Sequence, residues 1–323
     1  MGAGGFASSE GRIRARVRYV TFVPQGEAEA ARLGALAGGQ VVDLAEVEGL
    51  PPTMLAFLKA GPVVWEAARQ LVEDGGGQRW RQEEVRLRPP LPRPSSVRDF
   101  YAFEHHVAAA FANRDRQVPR EWYDFPVFYF SNPGSIVGPE DVVAAPPGSH
   151  ALDYELEVAC VIGRGGRDID AAEAEKHIFG YTILNDWSAR DLQRAEMQVG
   201  LGPAKGKDFA TSLGPWLTTP DELRDRGALR PSAYDLSMTA RVNGRERSRG
   251  NLSEMHYTFG ELIERASRGV ELYPGDVIGS GTVGTGCLLE LTRGAGPWLQ
   301  PGDVVELEVE RLGVLKNTVV SGE

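Results

Sequence analysis

The stretch DYELEVACVIG, residues 153–163, has the pattern of a strand that enters a hydrophobic core, yet it carries two glutamates in its first half. Side chains alternate along a strand, so Glu155 and Glu157 project from one face, about 6.5–7 Å apart. The run VACVIG that follows has no polar side chain on either face, which is typical of a strand buried on both sides. Two like charges at the mouth of such a core repel each other and need a physical reason.

The tripeptide ELE occurs a second time and gives an internal comparison. In VVELEVERLG, residues 304–313, glutamates at 306, 308 and 310 alternate with apolar residues to the end of the segment. This alternation predicts a half-solvated strand, in which the carboxylates face water. The second copy therefore needs no ligand, and we expect the two copies to differ in role.

The composition excludes several classes of protein. A chain of 323 residues predicts two domains, and a net charge of −10 argues against a nucleic-acid partner. Cys160 and Cys287 both lie in apolar runs, which predicts buried thiols in a reducing compartment and no disulfide. The sequence contains no signal-peptide core and no 18-residue apolar run, so we expect a cytoplasmic protein without membrane contact.

The first part of the chain predicts a lead and a small domain. Residues 1–11 are expected to be a disordered lead, and residues 12–88 a small N-terminal domain. That domain begins with an alternating, half-buried strand over 12–23, followed by a hairpin over 31–44 and helices over 51–60 and 62–74. The proline-rich segment 86–96 is interpreted as a connector to the second domain, residues 89–323.

Short strands dominate the second domain. We expect strands near 136–143, 153–163, 178–185, 234–243, 276–280, 287–293, 304–310 and 313–319, and helices near 104–113, 188–198 and 257–266. Because strands and helices do not alternate regularly, a doubly wound sheet is disfavoured. The pattern predicts a mixed, β-rich α+β fold built on a mainly antiparallel roll or barrel.

The segment HIFGYTILNDWSARDLQ, residues 177–193, places a third acid at the end of an apolar strand. Ser188 and Asp191 have the spacing of a capping box, which predicts that a helix begins there and that Asp186 occupies the corner. Asp186 has two possible roles. It could form an Asx turn or a helix cap, or it could be a third oxygen ligand beside the two glutamates. Three carboxylates without a Cys or His cluster select a hard cation, Mg²⁺ or else Mn²⁺ or Ca²⁺, and disfavour zinc.

The run GSGTVG, residues 279–284, satisfies the dinucleotide fingerprint G-x-G-x-x-G. The residues after it are strand-like and lack the amphipathic helix on which a pyrophosphate rests. We therefore interpret this run as a tight turn that directs Thr282 towards the site.

Four segments together resemble the fumarylacetoacetate hydrolase superfamily. They are, in order, LDYELEVACVIG (152–163), KHIFGYTILNDWSARDLQ (176–193), GPAKGKDFATSLGPW (202–216) and GDVIGSGTVGTGCLLEL (275–291). The resemblance spans about residues 97–320 and is strongest to the fumarylacetoacetate hydrolases proper, because of NDWSARD. It implies a mixed β-sandwich roll or barrel at the C-terminus and a small, variable N-terminal α/β domain, and it implies a homodimer.

The resemblance also implies roles for individual residues. The family's cation ligands match Asp99, Glu155, Glu157 and Asp186. Its catalytic histidine matches His106, with neighbouring His105 as the alternative. The acid that orients the histidine matches Glu290, interpreted here as an acid within an apolar strand. Groups that neutralise developing charge match Gln193 and Lys207, with Lys205 a lesser candidate, and the substrate site matches Tyr101, Arg114, Tyr129, Arg190 and Thr282.

These roles imply a cation-dependent hydrolase that cleaves a carbon–carbon bond in a 1,3-diketo acid, such as fumarylacetoacetate or an acylpyruvate. Water activated by the histidine would attack a carbonyl, and the enolate leaving group would be held on the metal. The alternatives are a metal-dependent decarboxylase or isomerase of a 2-oxo or 2-hydroxy-dienoic acid, similar to an oxaloacetate decarboxylase, and a protein that the cation only stabilises. Met197 stands where animal fumarylacetoacetate hydrolases have a substrate-site tyrosine, so the substrate is left open.

Overall fold

The computed structural model describes residues 17–26, 30–227 and 230–322. The strands are β1 Arg18–Pro24, β2 Arg32–Ala37, β3 Gln40–Asp43, β4 Gln78–Arg81, β5 Val85–Arg88, β6 Ser96–Phe100, β7 Phe128–Ser131, β8 Ile136–Val137, β9 Val142–Ala144, β10 Leu152–Asp153, β11 Leu156–Ile162, β12 Gly166–Arg167, β13 Ile178–Asp186, β14 Ser188–Ala189, β15 Thr211–Thr218, β16 Ser237–Val242, β17 Arg245–Asn251, β18 Glu271–Leu272, β19 Asp276–Gly279, β20 Val304–Val309 and β21 Gly313–Val320.

The α-helices are fewer and mostly short: α1 Met54–Ala60, α2 Pro62–Glu73, α3 Glu104–Ala112, α4 Glu121–Asp124, α5 Arg190–Met197, α6 Phe259–Ser267 and α7 Leu288–Leu291. The expected mixed, β-rich α+β fold is confirmed. Within the described residues, no helix has the length and apolarity needed to cross a bilayer.

Two sheets form the body of the molecule. The large sheet has the strand order β4-β3-β2-β1-β15-β13-β11-β19-β6-β7, with β5 beside β1 and β8 beside β15. The second sheet has the order β17-β16-β20-β21-β9, and its strands pack against β11, β13 and β15. Pairing is mainly antiparallel. In the described part of the chain the large sheet ends at β4 and β7, so the roll is not a closed barrel.

Strand β11 shows why this sequence makes a two-sided sheet. All of its residues are buried, as the run VACVIG predicts. Because side chains alternate along a strand, Val158 and Cys160 enter the core between the two sheets, whereas Ala159 and Val161 enter a core on the opposite face. The neighbouring strand β13 is likewise buried along its whole length. These two strands are the centre of the fold.

The N-terminal strands continue the large sheet. Strand β1 pairs with β15, where Arg18 lies opposite Thr218, and the hairpin predicted over 31–44 is present as β2 and β3. The core on the outer face of β11 contains residues from both regions, among them Tyr19, Phe57 and Phe179. The prediction that a domain boundary lies at residue 88 stays a prediction.

Several sequence-based expectations are corrected. Strand β1 is buried at each of residues 19–22 instead of half-exposed, because it lies inside the sheet between β2 and β15. The strands expected at 136–143 and 153–163 are each broken into two. The predicted lead at 1–11 and the first residues of the strand at 12–16 lie outside the described residues.

Strand β20 and three helices agree with their sequence patterns. In β20, Val305, Leu307 and Val309 are buried and the glutamates only half-buried, so the second ELE copy does lie in a half-solvated strand. The helices expected near 104–113, 188–198 and 257–266 are present as α3, α5 and α6.

Phe179 tests the shared outer core. Its ring contacts the rings of Tyr19, Phe57 and Trp65 at centroid distances of 5.2, 5.8 and 4.9 Å. We expect Phe179→Ala to lower the free energy of unfolding by about 3–5 kcal/mol, because it leaves a cavity between the two regions. Val63→Ala, at a residue that is 84% exposed, is the control and should stay within about 0.5 kcal/mol in urea denaturation. Two separate unfolding transitions would contradict a shared core.

Candidate metal centre and active site

Sheet topology brings four carboxylates to one edge of the large sheet. Strand β6 ends next to Asp99, β13 ends at Asp186, and β11 begins between Glu155 and Glu157. Since β11 runs antiparallel to β13 and to β19, and β19 runs parallel to β6, these strand ends coincide in space. Residues far apart in sequence thus converge because of strand direction alone.

The four side chains form a compact oxygen cluster. One carboxylate oxygen from each of Asp99, Glu155, Glu157 and Asp186 lies within 4.8 Å of the others, and all four residues are buried. Three buried oxygens of this cluster have no hydrogen-bond partner among the described residues: Asp99 Oδ1, Glu157 Oε2 and Asp186 Oδ1. Buried carboxylate oxygens without partners are rare and costly. An all-oxygen set of this kind fits a hard divalent cation.

Mutual repulsion is visible in the acidities of these groups. Burial raises the pKa of Asp99 well above its ordinary value, and the charge of Asp186 raises it further. The pKa of Glu157 is also raised, first by burial and then by Asp99. In the absence of a cation, the cluster therefore favours bound protons at these two positions.

Glu155 has a different electrostatic environment. Lys207 Nζ donates to Glu155 Oε2 and to Asp186 Oδ2, both at 2.5 Å, and Arg190 Nη2 lies 2.8 Å from Glu155 Oε1. Although burial opposes it, Lys207 and then Arg190 hold the pKa of Glu155 below its ordinary value. Tyr129 adds a hydrogen bond from its hydroxyl to Asp186 Oδ2 at 2.6 Å. Thr282 donates to Glu157 Oε1 at 3.2 Å.

The glycines of GSGTVG are explained by close approach to this cluster. A Cβ atom at Gly279 would lie 2.3 Å from Asp99 Oδ1, and one at Gly284 would lie 2.6 Å from the His105 ring. Gly281 has φ +79°, and its added Cβ would meet the carbonyl oxygen of Phe100 at 2.4 Å. The run is therefore a turn that makes room for site residues, and it is not followed by a phosphate-binding helix.

A histidine and a glutamate lie beside the carboxylates. His106 comes from α3 and hydrogen-bonds through Nδ1 to Glu290 Oε1, while Thr285 N donates to Glu290 Oε2 at 3.0 Å. Although burial opposes it, the hydrogen bond from His106 lowers the pKa of Glu290, which stays a carboxylate. His105 Nδ1 is 3.8 Å from Glu290 Oε2, and its side chain is 70% exposed. Of the two histidines, His106 is the buried one that lines the cavity.

Glu290 does not lie in a strand, as the apolar run predicted, but in the one-turn helix α7. The cause is Asp153, a residue whose role the sequence did not suggest. Asp153 is completely buried, and its carboxylate accepts hydrogen bonds from the backbone N–H groups of Leu288 (2.8 Å) and Leu289 (3.0 Å). It also accepts from Arg190 Nε at 2.9 Å. Asp153 thus caps α7 and connects it to the guanidinium that contacts Glu155.

The capping box predicted at Ser188 and Asp191 is also absent. Ser188 and Ala189 form the short strand β14, which pairs with β10, and α5 begins at Arg190 with Ala189 as its N-cap residue, so Ser188 lies one residue before the capping position. Its hydroxyl donates to the Asp186 carbonyl oxygen instead, at 3.0 Å. Asp191 accepts from Ser149 Oγ and His150 N.

A cavity of about 300 Å³ opens above the carboxylates. Most residues predicted for the site line it: Asp99, Tyr101, His106, Arg114, Tyr129, Glu155, Glu157, Arg190, Gln193, Lys207 and Thr282. Asp186 and Glu290 contact lining residues through Lys207 and His106. Lys205 does not line the cavity and pairs with Asp208 on the surface. The far wall is apolar and includes Phe111, Val127, Met197 and Leu289.

Comparisons with known proteins found a family model and relatives that match most of the chain. The family model described as "Fumarylacetoacetate (FAA) hydrolase C-terminal" matches residues 95–320. The chain is 35% identical over 287 residues to the mitochondrial oxaloacetate tautomerase FAHD2A of Bos taurus, covering 88% of this chain and 85% of that protein. It is 28% identical to the fumarylacetoacetase of Bos taurus, covering 81% and 80% of the two chains.

A solved structure shows that the fold is similar as well. The fumarylacetoacetate hydrolase of Exiguobacterium antarcticum superposes with a TM-score of 0.74 at 29% identity, covering 95% of this chain and 100% of that one. Both a tautomerase and a hydrolase are therefore among its similar proteins. The prediction that the chain is most similar to the fumarylacetoacetate hydrolases proper, within this family, stays a prediction.

The repulsion in the carboxylate cluster predicts how cation binding depends on pH. Asp99 and Glu157 have pKa values raised in the folded protein, so the folded state without a cation loses stability as pH rises from about 4, the unfolded value. A bound cation removes that loss. We expect the increase in melting temperature caused by Mn²⁺ to grow from pH 5 to pH 8, and to correspond to about 2.7 kcal/mol at 100 times Kd.

Glu157→Gln and Glu306→Gln form the matched pair for this measurement, because both lie in an ELE segment. Glu157→Gln should raise the melting temperature without cation at pH 8 and abolish the response to Mn²⁺. Glu306→Gln, in the half-solvated strand, should leave both unchanged. An equal Mn²⁺ response in all three proteins would show that the cation binds elsewhere.

Proposed function

The chain belongs to the fumarylacetoacetate hydrolase family, and from that premise we propose that it is a cation-dependent enzyme that hydrolyses a carbon–carbon bond in a 1,3-diketo acid. The observation that carries the proposal is the pairing of His106 with Glu290 at the wall of a cavity whose floor is the carboxylate cluster. Tautomerisation needs proton transfer at carbon, and decarboxylation needs loss of CO₂. Hydrolysis differs from both because it needs activated water. An imidazole oriented by a buried carboxylate is suited to activating water.

The cation that fits the floor is Mg²⁺, with Mn²⁺ and Ca²⁺ as alternatives. Asp99, Glu155, Glu157 and Asp186 would hold it, since their oxygens converge and three of them accept no hydrogen bond in the described part of the chain. When bound, the ion supplies positive charge opposite the two ketone oxygens of a 1,3-diketo acid. The all-carboxylate donor set disfavours zinc at this position.

The pair of His106 and Glu290, here called the dyad, supplies the general base. Nδ1 of His106 is directed at Glu290, which leaves Nε2 free to take a proton from water. The resulting hydroxide oxygen bonds to the acyl carbonyl carbon, and the carbon–carbon bond then breaks. The electron pair of that bond leaves with the enolate, which takes up a proton to become the second acid. The products of an acylpyruvate are therefore a carboxylic acid and pyruvate.

Two cavity residues are placed to stabilise the tetrahedral oxyanion. Gln193 Oε1 accepts from Arg190 Nη1 at 3.1 Å, which fixes the amide and leaves its NH₂ group as a donor. Lys207 uses two of its three ammonium protons on Glu155 and Asp186, so one stays available to the cavity that it lines. Removing one such donor reduces turnover by about 10²–10³ in comparable sites.

The size and lining of the cavity favour a substrate larger than oxaloacetate. Its volume of about 300 Å³ and the apolar wall formed by Phe111, Val127 and Met197 fit an extended acyl group. Arg114, at the end of α3, lines the same cavity and offers a cation for a second carboxylate, as in fumarylpyruvate or fumarylacetoacetate. Tyr101 and Tyr129 complete the wall around the reacting carbons.

A second candidate is an oxaloacetate tautomerase or decarboxylase. It is favoured by the 35% identity to the oxaloacetate tautomerase FAHD2A, which exceeds the 28% identity to fumarylacetoacetase. The same cation site and the same imidazole could then serve proton transfer at carbon. The two candidates make different products from different substrates.

Product analysis separates them. Purified protein with Mg²⁺ or Mn²⁺ is incubated with acetylpyruvate, fumarylpyruvate, fumarylacetoacetate and oxaloacetate, and products are identified by mass spectrometry. We expect equal amounts of two acids from the diketo acids. Release of CO₂ from oxaloacetate, or an isomer of unchanged mass, with no cleavage of any diketo acid, would favour the second candidate and sink the first.

The subcellular and oligomeric expectations belong to the same proposal. Both cysteines are free and buried, which is compatible with a reducing compartment such as the cytoplasm. The homodimer rests on the family resemblance, and the small-molecule diketo acid is the only partner that we propose.

Replacing members of the dyad gives a direct test of the base. We expect His106→Ala to lower kcat by about 10²–10⁴, because the proton acceptor for water is lost. Glu290→Gln should lower kcat with little change in KM, since it disturbs the orientation of the imidazole. His105→Ala is the control and should keep nearly full activity, because that side chain is exposed. A normal rate for His106→Ala with a low rate for His105→Ala would reassign the base to His105.

Arg114 tests substrate recognition. We expect Arg114→Ala to raise KM for fumarylpyruvate by about 10-fold or more, the equivalent of about 1.4 kcal/mol, and to leave KM for acetylpyruvate almost unchanged. Arg116→Ala is the matched control, because Arg116 stacks on Phe111 at 5.7 Å and does not line the cavity. Equal effects of Arg114→Ala on the two substrates would mean that Arg114 does not bind the distal carboxylate.

A further inference from the structure

Glu290 has a further neighbour that the proposed reaction does not use, the thiol of Cys287. Cys287 Sγ lies 3.7 Å from Glu290 Oε1, the oxygen that is also bonded to His106 Nδ1. One donor atom from each of His106, Cys287 and Glu290 lies within 4.8 Å of the others. This sulfur, nitrogen and oxygen group is separate from the four-carboxylate cluster.

Local structure holds these three donors together. Cys287 immediately precedes α7 and Glu290 follows three residues later, so their side chains lie on the same side of this turn. Asp153 fixes the start of the turn through its bonds to Leu288 N and Leu289 N. The side chain of Cys287 is completely buried, and His106 is 4% exposed. The donors are therefore preorganised by the fold.

The chemistry of this group differs from that of the cavity floor. Thiolate, imidazole and carboxylate together suit Zn²⁺, with bonds of about 2.3 Å to sulfur and 2.0–2.2 Å to nitrogen or oxygen. Mg²⁺, which requires hard oxygen ligands, is disfavoured here. The two neighbouring sites therefore select different metals.

We propose that His106, Cys287 and Glu290 form a second, inhibitory metal site that takes Zn²⁺ or a similar borderline-soft ion. Binding releases the thiol proton of Cys287 to solvent, and the proton that His106 Nδ1 donates to Glu290 moves to Nε2 of the imidazole. His105, with Nδ1 3.8 Å from Glu290 Oε2 and a side chain that is 70% exposed, is a neighbour of the group and not one of its three ligands.

Coordination at this site would remove the proposed base, and this step rests on the proposed function. A neutral imidazole bound through Nδ1 carries its remaining proton on Nε2. Nε2 of His106 would then face the cavity as a donor and could not accept a proton from water. Zinc would switch off turnover while the cation on the carboxylates stays in place.

Binding is tested without reference to activity. Co²⁺, a spectroscopic substitute for Zn²⁺, is titrated into the full-length protein in excess Mg²⁺, and the thiolate-to-cobalt charge-transfer band is recorded. We expect the band in the unmodified protein and in Cys160→Ser, whose thiol lies elsewhere in the core, and not in Cys287→Ser. Zn²⁺ should displace the Co²⁺ and abolish the band. Absence of the band in the unmodified protein, or its persistence in Cys287→Ser, would overturn the proposal.

Inhibition is measured next, with Mg²⁺ in excess and the diketo acid that is turned over. Cys287→Ser should keep basal activity and should need at least ~10–100-fold more Zn²⁺ for half-inhibition. Metal affinity falls by this factor even when only a hydrogen-bond partner of a ligand is removed, so the loss of a ligand itself should cost at least as much. Cys160→Ser should be as sensitive as the unmodified protein. Equal sensitivity of all three, relieved by more Mg²⁺, would mean that zinc acts only at the carboxylates. A cobalt band in a protein that hydrolyses no diketo acid would support the metal site and refute the proposed function.

Discussion

Repulsion among four buried carboxylates is the constraint on which the rest of this structure depends. Asp99, Glu155, Glu157 and Asp186 converge within 4.8 Å, with one ammonium group, that of Lys207, bonded to two of them. Such a cluster is unfavourable in an empty apoprotein unless protons or a cation compensate it. A fold that maintains this arrangement at the mouth of a cavity gives up stability for a binding site, as active sites commonly do.

The surrounding structure is organised to keep those charges in place. Strand directions in the large sheet bring the four residues to one edge, and Gly279 leaves the space that Asp99 fills. Arg190 and Asp153 then connect the cluster to α7, so the residue that orients His106 is held by the same network as Glu155. One buried ion pair therefore links the proposed cation site at the floor to the proposed base at the wall.

Much of this could be predicted from the sequence, for reasons that differ between elements. Strands β11 and β13 were recognisable because their apolar runs are long, and the contrast between the two ELE segments separated a buried pair of acids from a solvated one. The proposed cation ligands and the pair of His106 with Glu290 were predicted from motifs in the family resemblance, and the structure brings these side chains together. Helix α7 was not predicted because its four residues are too few for hydrophobic periodicity to distinguish a helix from a strand. The role of Asp153 was missed because its hydrogen bonds reach backbone groups 135 and 136 residues further along the chain, a contact that no local pattern predicts.

The most direct measurement is anomalous diffraction from a crystal soaked in Mn²⁺ and collected at the manganese absorption edge. The account predicts a single strong peak at the floor of the cavity, in direct coordination with oxygens of Asp99, Glu155, Glu157 and Asp186, and with His106 beside it and not bound to it. A crystal with no peak there, and with the four carboxylates turned away from one another, would contradict the account.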